Sequence, residues 1–350
     1  SEVRILPRSL IEEPAVYCGL FLSSWLLMLF QITKFIFPSI LFWIASTSIA
    51  VGQDPNSIVP PGESGQTHNP FLVILGNVQD AGSPQSGCNN KCCTDLFDKP
   101  DPDRMVVCIG LVDPNAGKKY IIEATPDLTR QLGLLSRISG NSTTDEPDGI
   151  FLTHAHIGHY TGLIYLGKEA VDSKGIPVFA MPRMQHFLNK NGPWDQLVKR
   201  NNIKLYPLKE NDPVQLTTDI KITPLLVPHR DEYSETVGFL IQGPEKKALF
   251  IPDIDKWSKW DQDIISWIKK VDYAFLDATF FDGRELPGRD MDEIPHPSVE
   301  ESMKLFNRLS TNDRSKVFFI HLNHTNPLLD MRSAEIKVVR ENGFNIAQLG

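Results

Sequence analysis

Three histidines, His154-Ala-His156-Ile-Gly-His159, follow directly on the apolar run 150–153. The chain has only nine histidines in 350 residues, so three at this spacing ask for a shared purpose. Imidazole is a common ligand of zinc and other transition metals. On extended backbone alternate side chains point the same way, which lets His154 and His156 face one ion. His159 opens a helix-like stretch, 160–166, and a strand running into a helix start converges donors on a point. The same arrangement, a polar donor just after an apolar run, recurs at His229 after 222–228, Asp253 after 248–252 and His321 after 317–320. Singly each has a plainer reading, such as an aspartate capping a helix. Together they describe a metal site built along one edge of a sheet.

A second constellation is made of thiols. Cys88, Cys92 and Cys93 fall within six residues, after a glycine-rich turn that begins at Leu75-Gly-Asn-Val-Gln-Asp. Adjacent cysteines rarely bridge one another, and an odd cluster is a poor disulfide framework, so metal binding is the better reading. Of the other two cysteines, Cys18 sits in an apolar N-terminal run and Cys108 in a strand-like one.

The elements that must position these groups begin near residue 70. Short runs rich in Val, Ile and Phe predict strands over 71–75, 105–112, 120–123, 150–153, 178–180, 220–227, 236–241, 248–251, 273–276 and 317–320. Helices are predicted over 126–136, 159–166, 183–189, 261–269 and 298–309, the last after Pro297. Residues 345–350 read as the start of a last strand. Strands with interspersed helices imply an α+β fold of helix-covered sheets, and no internal repeat is visible. With 41% hydrophobic residues the chain can build a sizeable core, and its net charge of −8 argues against a general polyanion binder. The expected partner is a small-molecule substrate, not nucleic acid.

The segment before the domain differs in kind. Residues 15–32 and 35–51 are apolar and are separated by Thr33-Lys34. One reading is a membrane anchor, since the first run approaches the length of a span. The other is a secretory signal starting at Met28, with small residues before a cleavage after Ala50. The domain plan is therefore an N-terminal extension with signal or membrane segment over 1–50, a Pro/Gly/Ser/Asn-rich linker over 51–69, and one domain over 70–350. Both readings place the domain outside the cytoplasm, exported or anchored, with membrane contact only through the N-terminal segment.

The stretch Thr153-His-Ala-His-Ile-Gly-His-Tyr-Thr-Gly162 resembles the metallo-β-lactamase superfamily signature HxHxDH, and His229, Asp253 and His321 match the later metal motifs in order. The resemblance covers about residues 70–350. It implies a four-layer αββα sandwich with metals at one edge of its two sheets. His154, His156 and His229 would hold a first metal, Asp253 would bridge, and His159 and His321 would serve a second. Position 158, where the signature has Asp, is glycine. That leaves the second set short of a carboxylate and implies one tight metal and a weaker second, completed by Asp255 or water. The thiol-bearing turn, Ala124-Thr-Pro-Asp127, residues 275–280 and residues 318–327 most resemble the branch of PQQ-biosynthesis protein B, related to the carbon–phosphorus-lyase phosphodiesterase. That likeness implies a structural zinc held by Cys88, Cys92, Cys93 and His324, although the spacing CxxxCC departs from the branch's CxCxxC-like pattern.

Zinc lowers the pKa of a bound water to about 7. The resulting hydroxide would attack an ester, with Asp253 orienting it and His296 protonating the leaving group. Asp277 would orient His296, by likeness to an acidic–His pair in the related tRNA 3′-processing nucleases; a loop histidine between two prolines also has a plain structural reading. The leading expectation is thus a zinc-dependent hydrolase of a phosphodiester or lactone-like ester, with iron or manganese as other candidate metals. The alternatives are an iron-dependent oxygenase of quinone-cofactor synthesis using the same ligands, and a non-catalytic exported metal-binding protein. Arg230, in the polar loop 229–236, is a candidate contact for an anionic substrate group.

Overall fold

The computed structural model describes residues 69–140 and 146–350. The expected signal or anchor segment, the linker as far as residue 68, Cys18 and His68 lie outside the described residues. Among the described residues no helix is long and apolar enough to cross a membrane.

The strands form two sheets. The first contains, in this order across the sheet, β1 (Phe71–Gly76), β2 (Cys108–Asp113), β3 (Lys118–Ile122), β4 (Gly149–Phe151), β5 (Ile176–Ala180) and β6 (Ile203–Pro207). The second contains β7 (Val214–Gln215), β8 (Lys221–Leu226), β9 (Val237–Gln242), β10 (Lys247–Ile251), β11 (Tyr273–Asp277), β12 (Val317–Ile320) and β13 (Asn345–Ile346). Each sheet starts antiparallel and continues parallel. The switch comes after β3 in the first and after β10 in the second. The two halves repeat one plan, which the side-chain pattern does not reveal.

Alternation along the strands explains the layers. In β1, Leu72 and Ile74 point into the core between the sheets, with Ile109, Phe151, Phe239, Phe250, Phe275 and Ile320. Val73 and Leu75 point the other way, onto helix Leu128–Ser139 and its neighbours. The outer face of the second sheet is covered by helices Ile264–Lys270, Val299–Phe306 and Ala334–Glu341. Strands covered on both faces read as continuous apolar runs, and β2 is buried throughout. The fold is the αββα metallo-β-lactamase sandwich.

Several boundaries differ from the sequence reading. Strand β4 stops at Phe151, so Thr153–His156 lie beyond it. The expected helix over 159–166 is a short helix, Ile157–Tyr160, followed by a 3-10 turn, Thr161–Leu166. The cause is local: the His159 carbonyl accepts from Ala124 N and not from the next turn, and Gly162 N donates to the Ala124 carbonyl. Helices Lys91–Asp98, Trp194–Lys199, Thr311–Arg314 and Ala334–Glu341 and strands β6 and β7 are additions. Lys91–Asp98 buries only Cys93 and so lacks the apolar stripe that marks a helix in sequence.

Candidate metal centre

Direction decides which strands contribute. β1, β3 and β4 run one way in the first sheet; β8, β10, β11 and β12 share a direction in the second. Apart from His296, which lies in the loop before helix Val299–Phe306, the donors follow the carboxyl ends of these strands: Asp80 after β1, Glu123 after β3, the three histidines after β4, His229 after β8, Asp253 after β10, Asp277 ending β11 and His321 after β12.

Three groups of four donors share Asp253: with His154, His156 and His229; with Asp80, His159 and His321; and with Asp277, His296 and His321. In the first, His154 Nε2 lies 2.8 Å from His156 Nδ1 and His229 Nε2 lies 3.3 Å from it. Asp253 Oδ2 is 3.4 Å from His154 Nε2 and 3.3 Å from His229 Nε2. Ligands about 2.0–2.1 Å from a tetrahedral ion stand roughly 3.3 Å apart, so these donors fit one ion. In the second group, Asp80 Oδ1 is 2.7 Å from His159 Nε2 and 3.2 Å from His321 Nε2. Asp253 Oδ2 is 3.9 and 3.8 Å from the same two nitrogens. His229 Nδ1 is buried without a hydrogen-bond partner among the described residues, and Asp253 Oδ1 has His296 Nδ1 as its neighbour at 3.2 Å without a well-aligned hydrogen bond.

The sequence reading of a second group lacking a carboxylate is corrected here. Asp80 stands where the side chain of residue 158 would be: a Cβ on Gly158 would lie 2.4 Å from Asp80 Cα and 2.7 Å from its Oδ1. Asp255 belongs to none of the donor groups and pairs with Lys259 at 2.8 Å. Nothing in the local sequence points to Asp80, 79 residues before its histidine partner. An aspartate in a glycine-rich turn, read beside a signature missing its own, was the one available signal.

A carboxylate and a threonine orient the imidazoles in each sheet. Thr153 Oγ1 donates to Glu123 Oε1 at 2.6 Å and faces His154 Nδ1 at 2.9 Å, while His159 Nδ1 lies 3.0 Å from the same Oε1. Opposite, Thr279 Oγ1 donates to Asp277 Oδ1 at 2.7 Å and faces His321 Nδ1 at 2.8 Å. With Nδ1–H donated outward, Nε2 keeps its lone pair for the centre. His156 uses Nδ1 inward instead, its Nε2 being 3.2 Å from Glu232. Glu123 and His321 adopt positive φ, +83° and +66°, a conformation uncommon for non-glycine residues and concentrated at functional sites.

Charge follows the same geometry. Burial, with His159 beside it, holds His154 well below its ordinary pKa, and burial lowers His156. Burial opposes charge on His159, but the Asp80 and Glu123 carboxylates outweigh it and raise the group well above its usual value. Burial would raise Asp253; His229, His296 and His321 override it and keep the carboxyl well below the usual range. His296 is buried too, yet Asp277 and Asp253 push it up to about 10. Its Nδ1 lies 2.9 Å from Asp277 Oδ2 and 3.2 Å from Asp253 Oδ1. Arg230 is exposed and 4.0 Å from Glu232, through which alone it approaches His156.

Cys88, Cys92, Cys93 and His324 form a separate donor group, away from Asp253. Cys92 Sγ is 3.8 Å from Cys88 Sγ and 4.0 Å from Cys93 Sγ. Zinc–sulfur bonds of about 2.3 Å put tetrahedral sulfurs about 3.8 Å apart, so the thiols fit a closed structural site. Burial and the neighbouring thiols push Cys92 up to about 12, a proton that a metal must displace.

Residues 118–322 match the family model described as Beta-lactamase superfamily domain. Coenzyme PQQ synthesis protein B of Klebsiella pneumoniae is 24% identical over 306 residues, covering 79% of this chain and 96% of that protein. Its counterpart in Acinetobacter baylyi is 24% identical over 310 residues, covering 80% and 98%. Among solved structures, Zn(2+)-bound PqqB from Methylobacterium extorquens superposes with a TM-score of 0.64 at 20% identity, covering 80% of this chain and 98% of that one. A diphosphatase from the PhnP family gives a TM-score of 0.56 at 19% identity, covering 81% and 96%.

Proposed function

The chain belongs to the beta-lactamase superfamily, in its PQQ-synthesis-protein-B-like branch, and on that premise we propose that it is a metal-dependent hydrolase of a phosphodiester or lactone-like ester. The observation that carries this reading is the placement of Asp253. Its Oδ2 is shared by two four-donor groups while its Oδ1 faces His296. A divalent ion such as zinc in these groups supplies Lewis acidity and makes water acidic enough to ionise near neutral pH. Asp253 then orients the attacking water and takes its proton. His296, protonated at neutral pH, delivers a proton from Nε2 to the leaving oxygen as the ester bond breaks. Asp277 fixes the His296 ring through Nδ1, and Ile254 N donates to the same Asp277 oxygen at 3.1 Å. Structures of the same fold include a zinc-bound protein and a diphosphatase, chemistry in keeping with this donor set.

A second reading, an iron-dependent oxygenase in quinone-cofactor synthesis, is favoured by the relatives' name and by their near full-length match. Nitrogen and oxygen donors suit iron as well as zinc. A leaving-group acid such as His296 has no evident task in that chemistry. The non-catalytic reading rested on the missing carboxylate, which Asp80 supplies.

Metal analysis of protein purified without added metal, alongside turnover of bis-p-nitrophenyl phosphate, separates the two. Zinc or manganese with turnover is expected. His296→Asn should lower kcat by ~10²–10⁴-fold, the range for a general acid, with metal content unchanged. Iron with oxygen uptake and no ester cleavage would overturn the hydrolase.

A further inference from the structure

We propose that Asp80 is the carboxylate ligand of a second metal position, completed by His159, His321 and the shared Asp253, and that Gly158 is glycine because Asp80 fills its side-chain space. The inference rests on the donor groups holding metals and not on the reaction being hydrolysis.

Proton bookkeeping supports it. Glu123 takes the Nδ1 proton of His159, and Thr279, committed to Asp277, takes that of His321. Both Nε2 atoms face the Asp80 carboxylate, which only accepts, so each can turn a lone pair on a metal ion once any proton shared with Asp80 is displaced. Asp253 brings a fourth acceptor. Four such groups in a buried space call for positive charge, a proton or a metal ion, and their spacing of 2.7–3.9 Å suits a zinc-class divalent ion.

The loop is built to deliver Asp80. Gln79 N donates to the Leu322 carbonyl at 2.8 Å and Leu322 N donates to the Asn77 carbonyl at 2.7 Å. The residue before Asp80 is therefore tied to the residue after His321. Gly82 N closes the turn onto the Gln79 carbonyl at 2.9 Å. On the other side the loop backbone presses on residue 158 so closely that any Cβ there, 2.4 Å from Asp80 Cα, must move it. A ligand has been exchanged between two chain positions: the carboxylate comes from the loop after β1, and the helix start gives up its own.

Cobalt titration of the chelator-stripped full chain tests this. The thiol site reports by its sulfur-to-cobalt absorption in the near ultraviolet, and the histidine positions by d–d bands alone. The wild type is expected to take two equivalents at the histidine positions. Asp80→Ala, and the same-shaped Asp80→Asn, should each lose one of the two, by at least ~100-fold in affinity, the upper end for residues that merely orient ligands. The retained thiol band shows that the loop is folded. Gly158→Ala, which removes no donor, should lose the same equivalent, and Asp255→Asn should keep both. A wild type that takes one equivalent, or Asp80 variants that keep two at unchanged affinity, would overturn the assignment. Loss in Asp255→Asn with retention in the Asp80 variants would move the ligand to Asp255. No outcome depends on turnover, so failure of the hydrolase reading leaves a distinct result.

Discussion

An imidazole is best oriented toward a metal when its other nitrogen is held, and here the holding groups do more than one job each. Glu123 holds His159 directly and His154 through Thr153, so one carboxylate orients a donor in each of the first two groups. Glu123→Gln keeps the shape but removes the negative charge beside His159 and sets an amide donor against Thr153 N, which in the wild type donates to Oε2 at 3.3 Å. It should weaken metal binding by about 10–100-fold, measured by competition with a chromophoric chelator. If affinity is unchanged, the ring orientation is set by packing alone. At this scale the sequence revealed what is local. His154, His156 and His159 are legible because spacing on one strand end places them together. Asp80 and Glu123 are not, because each acts only through contacts made 79 and 36 residues away.

One loop joins two of the metal positions. From Gly76 it passes Asp80, pinned beside His321, and reaches Cys88, Cys92 and Cys93, which close on His324. One four-residue segment, His321 to His324, thus anchors both ends of the loop. A metal at the thiols would shorten the loop's freedom and hold Asp80 in place. Cys92→Ala, at a half-buried position, should lose the structural metal and weaken the Asp80 position by roughly tenfold, leaving the His154–His156–His229 position unchanged. The measurement is metal content plus cobalt affinity at each position; an unaffected Asp80 position would mean that the backbone bonds alone hold the loop. The sequence exposed the thiols but not the helix Lys91–Asp98 that spaces them, since that helix buries a single side chain. Strands were easier to see: burial on both faces writes them as apolar runs.

Across the molecule, the donors come from both sheets and meet at one edge. His154, His156 and His159 belong to the first sheet, and His229, Asp253 and His321 to the second. The layered class was legible from the alternation of strands and helices together with the signature. The duplicated antiparallel-then-parallel plan was not, because strand direction leaves no mark on which residues are apolar. That plan is what brings seven carboxyl-end positions to one edge. The inter-sheet core, with Phe151, Phe239, Phe250 and Phe275, holds the halves together along their length, while metals would cross-link them at the rim. Metal should therefore stabilise the whole sandwich and not only its loops. At a free concentration 100-fold above Kd a single site adds about 2.7 kcal/mol, and a domain of this size gains roughly 2–4 °C in Tm per kcal/mol. Chelation at pH 7 should thus lower Tm by about 5–10 °C. Hydrogen exchange should rise together in the segments around residues 154–159 and 321–324, which lie on different sheets. A Tm unmoved after the histidine groups have lost their metal would show that the core closes the sandwich unaided and that the centre rests on a rim already formed.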